Sequence, residues 1–256
     1  MKFHIMTLFP QIIQAYMNES IMKRAEEKGN ISYKAWNIRD YADNKHKKVD
    51  DYPYGGGAGM VMTPQPIMSC YNAIIDELQS EPEFEGYKVK PKVIYLSPKG
   101  KMFNNDMAIS LSKEESLVFL CGHYEGVDQR IIELIIDEEI SIGDYVLTGG
   151  EIPAMVLIDS VSRYIEGVLS KDSTKEESFS NGMLEYPQYT RPEVFENEKV
   201  PEILLTGHHE NIEKWRRKKA IEITYKKRPD LLKNKNLSEM DVKLLSEVQN
   251  KCTAHE

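Results

Sequence analysis

Cysteine is scarce in this sequence. The three residues Cys70, Cys121 and Cys252 are odd in number and widely spaced, and they form no CxxC pair. Such a set predicts neither a disulfide framework nor a zinc site. The histidines also lack the spaced partners of a metal site, as the adjacent pair His208 and His209 shows. We therefore predict no metal centre.

Long apolar runs and export signals are also missing. No run approaches the roughly 18 apolar residues that a membrane-spanning helix needs. The amino end, "MKFHIMTLFPQ", has a short apolar stretch broken by Pro10 and no small-residue cleavage site, which is typical of a first strand. The composition, 41% hydrophobic and 29% charged, is that of a globular protein. We expect a cytoplasmic protein with reduced thiols.

A net positive charge is missing too, and this argues against a nucleic-acid partner. The chain carries 33 Lys and Arg against 41 Asp and Glu, a net charge of −8. The segment 211–234 is an exception, because it holds nine Lys or Arg and only three acids. A phosphate backbone responds to such local charge more than to the global sum. The basic stripe, defined here as Lys214 to Arg228, is thus either a phosphate-binding surface or a solvated helix face.

The first 168 residues alternate between strand-like and helix-like segments. The predicted strands are "KFHIMTLF", "ISYKAWNI", "PKVIYLS", "SLVFLCG" and "EISIGDYVLT". The predicted helices include "PQIIQAYMNESIMKRAEEKG", "VDQRIIELIIDEE" and "EIPAMVLIDSVSRYI". This order predicts an α/β fold with a mainly parallel sheet. The polar segment 169–181 indicates a linker or a loop that orders on binding. The remainder is predicted to be largely helical, with Ser238 as the N-cap of the last helix.

Glycines follow three of the predicted strands, in "YLSPKG", "CGHYEG" and "LTGGE". Open α/β sheets bind ligands beyond the carboxyl ends of their strands, so three such loops favour a ligand crevice, although each alone is explained by a turn. The phosphate-binding signatures GxxxxGK[ST] and GxGxxG are absent, which favours a nucleoside without phosphates. The adjacent Gly149 and Gly150 are interpreted as a place where the backbone approaches that ligand.

Longer motifs carry a family resemblance. The segments "VDDYPYGGGAGM", "YLSPKG", "CGHYEGVDQR", "EISIGDYVLTGGEIPAMVLIDSVSRYI" and "YPQYTRPEVF" resemble the bacterial tRNA (guanine-N1-)-methyltransferases of the SPOUT superfamily. The resemblance implies an α/β domain with a deep trefoil knot over residues 1–168, an interdomain linker over 169–181 and a helical tRNA-binding domain over 182–256. It implies S-adenosylmethionine as methyl donor, N1 of guanine 37 in tRNA as acceptor, and a homodimer with shared active sites. Neither a membrane nor DNA is an expected partner.

The resemblance also assigns binding residues. The donor is expected to lie against the backbone of the three loops after the strands, formed by Tyr95, Leu96, Ser97, Pro98, Gly122, Tyr124, Glu125, Gly126, Ile142, Gly143, Asp144, Tyr145, Val146, Leu147, Gly149, Gly150 and Pro153. The basic stripe is expected to contact the anticodon stem through Lys214, Arg216, Arg217, Lys218 and Lys219.

The chemistry of guanine N1 calls for two further groups. N1 becomes nucleophilic only when its proton leaves, and negative charge then spreads toward O6, so a general base and a cation are needed. By motif match, Arg163 is the expected partner of O6 and Glu177 the expected base. The family pattern has aspartate before Ser-Phe, and the added methylene of Glu177 leaves Glu176 and Asp172 as alternative bases.

Two other classes of function stay open on the sequence. One is a tRNA-binding protein that keeps the methyltransferase scaffold but has impaired catalysis. The other is a binding domain for a different nucleoside, with the basic stripe unrelated to its function. The sequence also leaves open whether Mg²⁺ assists the reaction.

Overall fold

The structure, a computed structural model, describes residues 1–81, 90–170, 177–233 and 235–253. The chain divides into two compact units, Met1–Ser170 and Lys171–Glu256. None of the helices in the described residues combines the length and the apolar character that a bilayer requires. Residues 171–176, in the middle of the predicted linker 169–181, lie outside the described residues. The finer division of the chain at 168 and 181 therefore stays a prediction.

The first unit is built on a parallel five-stranded sheet. Its strands are β1 (Lys2–Thr7), β2 (Ser32–Asn37), β5 (Lys92–Met102), β6 (Ser116–Leu120) and β7 (Glu138–Ser141), in the spatial order β2-β1-β6-β5-β7. All four pairings within the sheet are parallel. A small antiparallel pair, β3 (Asp50–Asp51) with β4 (Val61–Met62), lies between β2 and β5 in the sequence. The α/β prediction is confirmed, and the knot stays a prediction.

Helices cover both faces of this sheet. They are α1 (Pro10–Met17), α2 (Ser20–Glu27), α3 (Pro64–Gln79), α4 (Asn105–Leu111), α5 (Gln129–Ile135) and α6 (Glu151–Ser162), with a 3₁₀ turn over Ile38–Tyr41. Side chains of β1 alternate between two cores, since Phe3 and Ile5 pack with Leu157 of α6 while Met6 packs with Ile74 of α3. Burial on both faces explains why the central strands read as continuous apolar runs.

Two sequence expectations about these elements are wrong. The single helix expected after Pro10 is divided into α1 and α2, because Asn18, a poor helix former, ends α1 and Ser20 takes a left-handed φ of 51°. The strand expected over "EISIGDYVLT" ends at Ser141, and Gly143 turns the chain with a φ of 158°. Residues 145–147 are therefore an exposed loop and not a buried strand.

The second unit consists mainly of helices. They are α7 (His209–Lys227), α8 (Asp230–Lys233) and α9 (Glu239–Thr253), preceded by a hairpin of β8 (Val194–Phe195) and β9 (Glu198–Lys199) and by a 3₁₀ turn over Glu202–Leu205. Ser238 accepts a hydrogen bond from the Asp241 backbone N–H at 3.1 Å, which confirms the predicted N-cap of α9. Asp241 in turn accepts two hydrogen bonds from Arg217, at 2.7 and 2.8 Å, which join α7 to α9.

Candidate functional site

A cavity of about 380 Å³ lies at the carboxyl ends of β6 and β7 and at an irregularity in the middle of β5. Two loops form it, residues 122–127 after β6 and residues 142–150 after β7. The third predicted loop, "YLSPKG", lies within β5, which continues past the predicted strand end to Met102 with a register shift between Leu96 and Lys101. The volume of the cavity falls in the usual range for a small-molecule site. Its position is the one at which open parallel sheets bind ligands.

The predicted donor-binding residues converge on this cavity. All of them line it except Asp144, whose side chain is exposed to solvent. The sequence did not single out several other lining residues: Lys99, His123, Val127, Gln129, Ile132, Glu139, Ile140, Ser141 and Thr148. Gln129 and Ile132 are three apart on α5, so the helical period could have placed them on one side. Glu139 and Ile140 belong to β7, and the others are next to predicted residues along the chain.

The packing of the protein itself gives a reason for glycine at positions 149 and 150 that the sequence did not show. A Cβ on Gly150 would lie 2.6 Å from Cα of Cys121 and 3.0 Å from the Gly122 nitrogen. A Cβ on Gly149 would lie 2.3 Å from the His123 ring. The two loops therefore pack against each other so closely that no side chain fits between them. This packing alone requires glycine at both positions, and the contact of their backbone with a ligand stays a prediction, since both residues line the cavity.

A buried polar cluster lies behind these glycines. Glu151, at the first position of α6, is 2% exposed. Its carboxylate lies 2.8 Å from Nε2 of His123 and accepts a hydrogen bond from the Thr7 hydroxyl at 2.5 Å. Thr7 Oγ1 accepts in turn from the backbone N–H of Phe9 at 2.9 Å. We call Thr7, His123 and Glu151 the loop-anchoring cluster.

The electrostatics of this cluster keep the carboxylate charged. Burial raises the pKa of Glu151, but the hydrogen bonds from His123 and Thr7 outweigh it, so the pKa lies below its ordinary value of 4.5. The negative charge also lies at the positive end of the α6 dipole. Because an ionised carboxylate only accepts hydrogen bonds, His123 carries a proton on Nε2.

The structure does not bring Arg163 to the cavity. Arg163 follows the last residue of α6, whereas the cavity loops meet the first turn of that helix. Twelve helical residues separate the two ends. At 1.5 Å per residue this is about 18 Å. In a single chain, the expected O6 partner and the cavity therefore lie at opposite ends of α6.

Glu177 lies in the second unit, in a hydrogen-bonded turn. Its carbonyl accepts from the Ser180 amide at 3.1 Å and from the Ser180 hydroxyl at 2.7 Å. The Ser178 hydroxyl accepts from the amide of Glu185 at 3.0 Å, and Phe179 has a left-handed φ of 73°. Glu177 lines a second cavity, of about 120 Å³, with Arg216 and Arg217 among its neighbours. The alternative bases Asp172 and Glu176 lie outside the described residues.

The basic stripe is largely engaged with acids of its own unit. The ion pairs are Lys214–Glu210, Arg217–Asp241, Lys218–Glu247, Lys219–Glu222, Lys226–Glu222 and Arg228–Asp230. The guanidinium of Arg216 lies over the Tyr186 ring, 4.8 Å from its centroid. Part of the stripe therefore holds the helical unit together, and its role in RNA binding stays a prediction.

The sequence matches one protein family over most of its length. Residues 1–234 match the family model described as tRNA (Guanine-1)-methyltransferase TrmD. The chain is 57% identical to the tRNA (guanine-N(1)-)-methyltransferase of Alkaliphilus oremlandii, covering 96% of this chain and 98% of the relative. It is 59% identical to the enzyme of that name from Clostridioides difficile, covering 92% and 99%.

A solved structure shows the same likeness. The crystal structure of the tRNA (m1G37) methyltransferase from Aquifex aeolicus superimposes with a TM-score of 0.71 at 41% sequence identity. The superposition covers 91% of this chain and 94% of that chain.

Proposed function

The chain belongs to the tRNA (guanine-1)-methyltransferase family, and from this membership we propose that it transfers a methyl group from S-adenosylmethionine to N1 of guanine 37 in tRNA. The observation that carries the proposal is the cavity at the ends of β6 and β7 and the middle of β5, which gathers nearly all of the residues assigned to the donor by family resemblance. The relatives named as methyltransferases favour this function over an RNA-binding protein with impaired catalysis. Since tRNA is the substrate, the cytoplasm is its place of action.

The cavity suits a nucleoside donor that bears a positive charge. Its volume of about 380 Å³ is in the range of small-molecule sites. Apolar side chains such as Leu96, Ile132 and Ile142 line it beside the carboxylates of Glu125 and Glu139. The apolar groups would cover an adenine ring, and the carboxylates would complement a sulfonium or an ammonium group. S-adenosylmethionine supplies an electrophilic methyl group when bound.

The residues of the chain then act on the nucleophile. Glu177 removes the proton from N1 of guanine, because the N1 lone pair is available only after that proton leaves. Arg163 stabilises the negative charge that develops at O6. The catalytic step thus needs a carboxylate from the helical unit and a guanidinium from the end of α6, opposite the donor cavity of the same chain.

The position of Arg163 at the end of α6 opposite the donor cavity supports a homodimer with shared active sites. Helices α1 and α6 are joined by the hydrogen bond from the Tyr16 hydroxyl to Asp159. The two helices are in contact, and both leave apolar side chains exposed: Phe9 and Ile12 on the α1 side, and Ile152 and Val156 on α6. Contiguous exposed apolar surface marks an interaction site. A second copy that covers this surface would supply its own Arg163 to complete a site.

Complementation tests the sharing of sites. Arg163→Ala and Glu177→Gln are expected to be inactive alone. If each site takes Arg163 and Glu177 from different chains, a mixed dimer has one site with both residues intact, and activity returns on mixing. If both residues come from the same chain, mixing restores nothing. Unfolding and refolding the two variants together, with separately refolded samples as control, distinguishes the cases.

The activity itself is tested by labelled methyl transfer. We expect label to appear in a tRNA transcript with guanine at position 37, as 1-methylguanosine after hydrolysis, and not in the same transcript with adenine at that position. Absence of transfer to either transcript, with the donor bound, would support the catalytically impaired alternative. Equal labelling of both transcripts would show that the acceptor is wrong.

A further inference from the structure

The loop-anchoring cluster joins three segments that are distant in sequence. Thr7 ends β1, His123 belongs to the loop after β6, and Glu151 begins α6. The Thr7–Glu151 hydrogen bond spans 144 residues and the His123–Glu151 bond spans 28. His123 and its neighbours on both loops line the donor cavity, whereas the buried carboxylate of Glu151 lies behind the loops. Thr7 and Glu151 are therefore placed to fix the loops and not to contact the donor, and they act through His123.

The desolvation cost of the buried Glu151 carboxylate argues that the cluster has a role beyond stability. Removing an ionised carboxylate from water is unfavourable, and a well-packed apolar replacement of a buried ionic group is often neutral or stabilising. The hydrogen bonds from Thr7 and His123 offset that cost only while both donors keep their places. Such a set of hydrogen bonds holds the joined segments in one relative position, because the bonds depend on distance and direction. Apolar packing restricts that position less.

The geometry that the cluster specifies is the approach of the two cavity loops. The amide of Gly150 donates to the carbonyl of Gly122 at 3.1 Å, which bridges the loops directly beside Glu151. The space in which a Gly149 side chain would stand is occupied by the His123 ring and by Glu151 Oε2, 2.6 Å from the ideal Cβ position. The ring also contacts Phe9 edge-on, with 4.9 Å between ring centroids. Movement of His123 would therefore displace both loops.

We propose that Glu151 and His123 are positioning residues for the methyl donor: the carboxylate holds His123, and His123 holds the loops 122–126 and 142–150 at the separation that the donor requires. This inference rests on the proposed donor site. It assigns to Nε2 of His123 the role of a hydrogen-bond donor to Glu151, and it assigns Thr7 a supporting role through its hydroxyl.

Binding of S-adenosylhomocysteine by calorimetry, without tRNA, tests the inference. Glu151→Gln removes the charge and keeps the shape, and we expect the Kd to rise by about tenfold to a hundredfold, the range for losing a hydrogen bond to a charged group. His123→Leu should have the same effect, whereas His123→Gln, whose amide can donate, should restore most of the affinity. Asp106→Asn, which changes an exposed acid in the first turn of α4, is the matched control and should bind normally.

Steady-state kinetics add a measurement that a purely structural role would not change. The KM for S-adenosylmethionine should rise in Glu151→Gln, while kcat at saturating donor and the KM for tRNA stay close to wild type. A structural role alone would lower the fraction of active enzyme and leave the donor KM unchanged. If Glu151→Gln does not fold, as judged by thermal melting, Thr7→Val and the His123 variants decide the matter.

The outcomes separate this inference from the proposed function. If the wild-type protein binds no S-adenosylhomocysteine, the donor site itself is wrong. If the wild type binds and both Glu151→Gln and His123→Leu bind equally tightly, the positioning role is overturned. If His123→Gln loses as much affinity as His123→Leu, the hydrogen-bond role assigned to Nε2 is overturned.

Discussion

Replacing Gly150 by alanine should destabilise the first unit even with no ligand present. The new Cβ would lie 2.6 Å from Cα of Cys121 and 3.0 Å from the nitrogen of Gly122. Both contacts are with backbone, in the tightly packed region where β6 ends, so no side chain can rotate away to relieve them. Overpacking of this kind typically costs about 1–3 kcal/mol. For a unit of this size, about 2 kcal/mol corresponds to a fall in Tm of roughly 4–8 °C.

Thermal and urea unfolding of the ligand-free protein measure this effect. Gly122→Ala is the matched control, because the three atoms nearest to its Cβ all belong to the side chain of Tyr95, with the hydroxyl oxygen at 2.9 Å. Tyr95 lines the proposed donor cavity, so Gly122→Ala should raise the Kd for the donor. It should lower Tm less than Gly150→Ala does. An unchanged Tm for ligand-free Gly150→Ala, with loss of donor binding only, would refute the packing argument and restore the direct role of the ligand at Gly150.

Four further outcomes follow from the site and the helical unit. Glu177→Gln should lower single-turnover methylation by about 10²–10⁴ with donor affinity unchanged; near-normal rates would place the base elsewhere. Lys214→Glu, at an exposed ion pair, should raise the tRNA KM and flatten the salt dependence of binding without lowering Tm; unchanged salt dependence would leave Lys214 as a solvated residue. Val156→Glu should yield monomers in sedimentation experiments; persistent dimers would place the interface on another surface. Hydrogen bonds from Arg217 lower the pKa of Asp241 to about 2 from 3.8, so their stabilisation is present above pH 4 and lost as the pH falls toward 2; acid unfolding of the second unit should lose this dependence in Asp241→Asn.

The basic stripe shows why a mutagenesis plan drawn from sequence alone would mislead. Arg217 and Lys214 look equivalent in "EKWRRKKA", yet Arg217 is bonded to a nearly buried Asp241 while the partner of Lys214 is exposed. Charge reversal at Arg217 would therefore bring two carboxylates together inside the unit. Loss of tRNA binding in such a variant would report unfolding and not a lost phosphate contact.

The elements that could be predicted are those whose cause is local. Alternating or continuous apolar runs identified the strands, Pro10 marked a helix start, and Ser238 marked an N-cap, because each depends on residues a few positions apart. The motifs also gathered most of the cavity lining. The reason for Gly150, and the bond between Thr7 and Glu151, could not be predicted, since both depend on segments brought together only by the sheet.

The prediction of a buried strand over residues 145–147 was wrong for a related reason. The run Tyr145, Val146 and Leu147 has the composition of a buried strand, yet all three side chains are exposed, Val146 by 83%. The pairing with β5 ends at Ser141 and Gly143 turns the chain, so these apolar side chains line the cavity and do not enter the core. Apolar residues kept for a ligand or a second subunit carry the same sequence pattern as apolar residues kept for a core.

The turn around Glu177 bears on how glutamate can stand where the family pattern has aspartate. The backbone from Glu177 to Ser180 is fixed by hydrogen bonds, and the amide of Phe179 donates to the carbonyl of Met183, whose side chain is buried in the second unit. The carboxylate therefore starts from a backbone position set by the helical unit and not by the preceding segment. The extra methylene of glutamate cannot be absorbed by sliding this turn without breaking those bonds. It has to be accommodated by the side-chain rotamer of Glu177 or by the placement of the helical unit on its substrate. The proposed roles of Glu177 as base and of this unit in tRNA binding would then make delivery of the base and binding of tRNA one event.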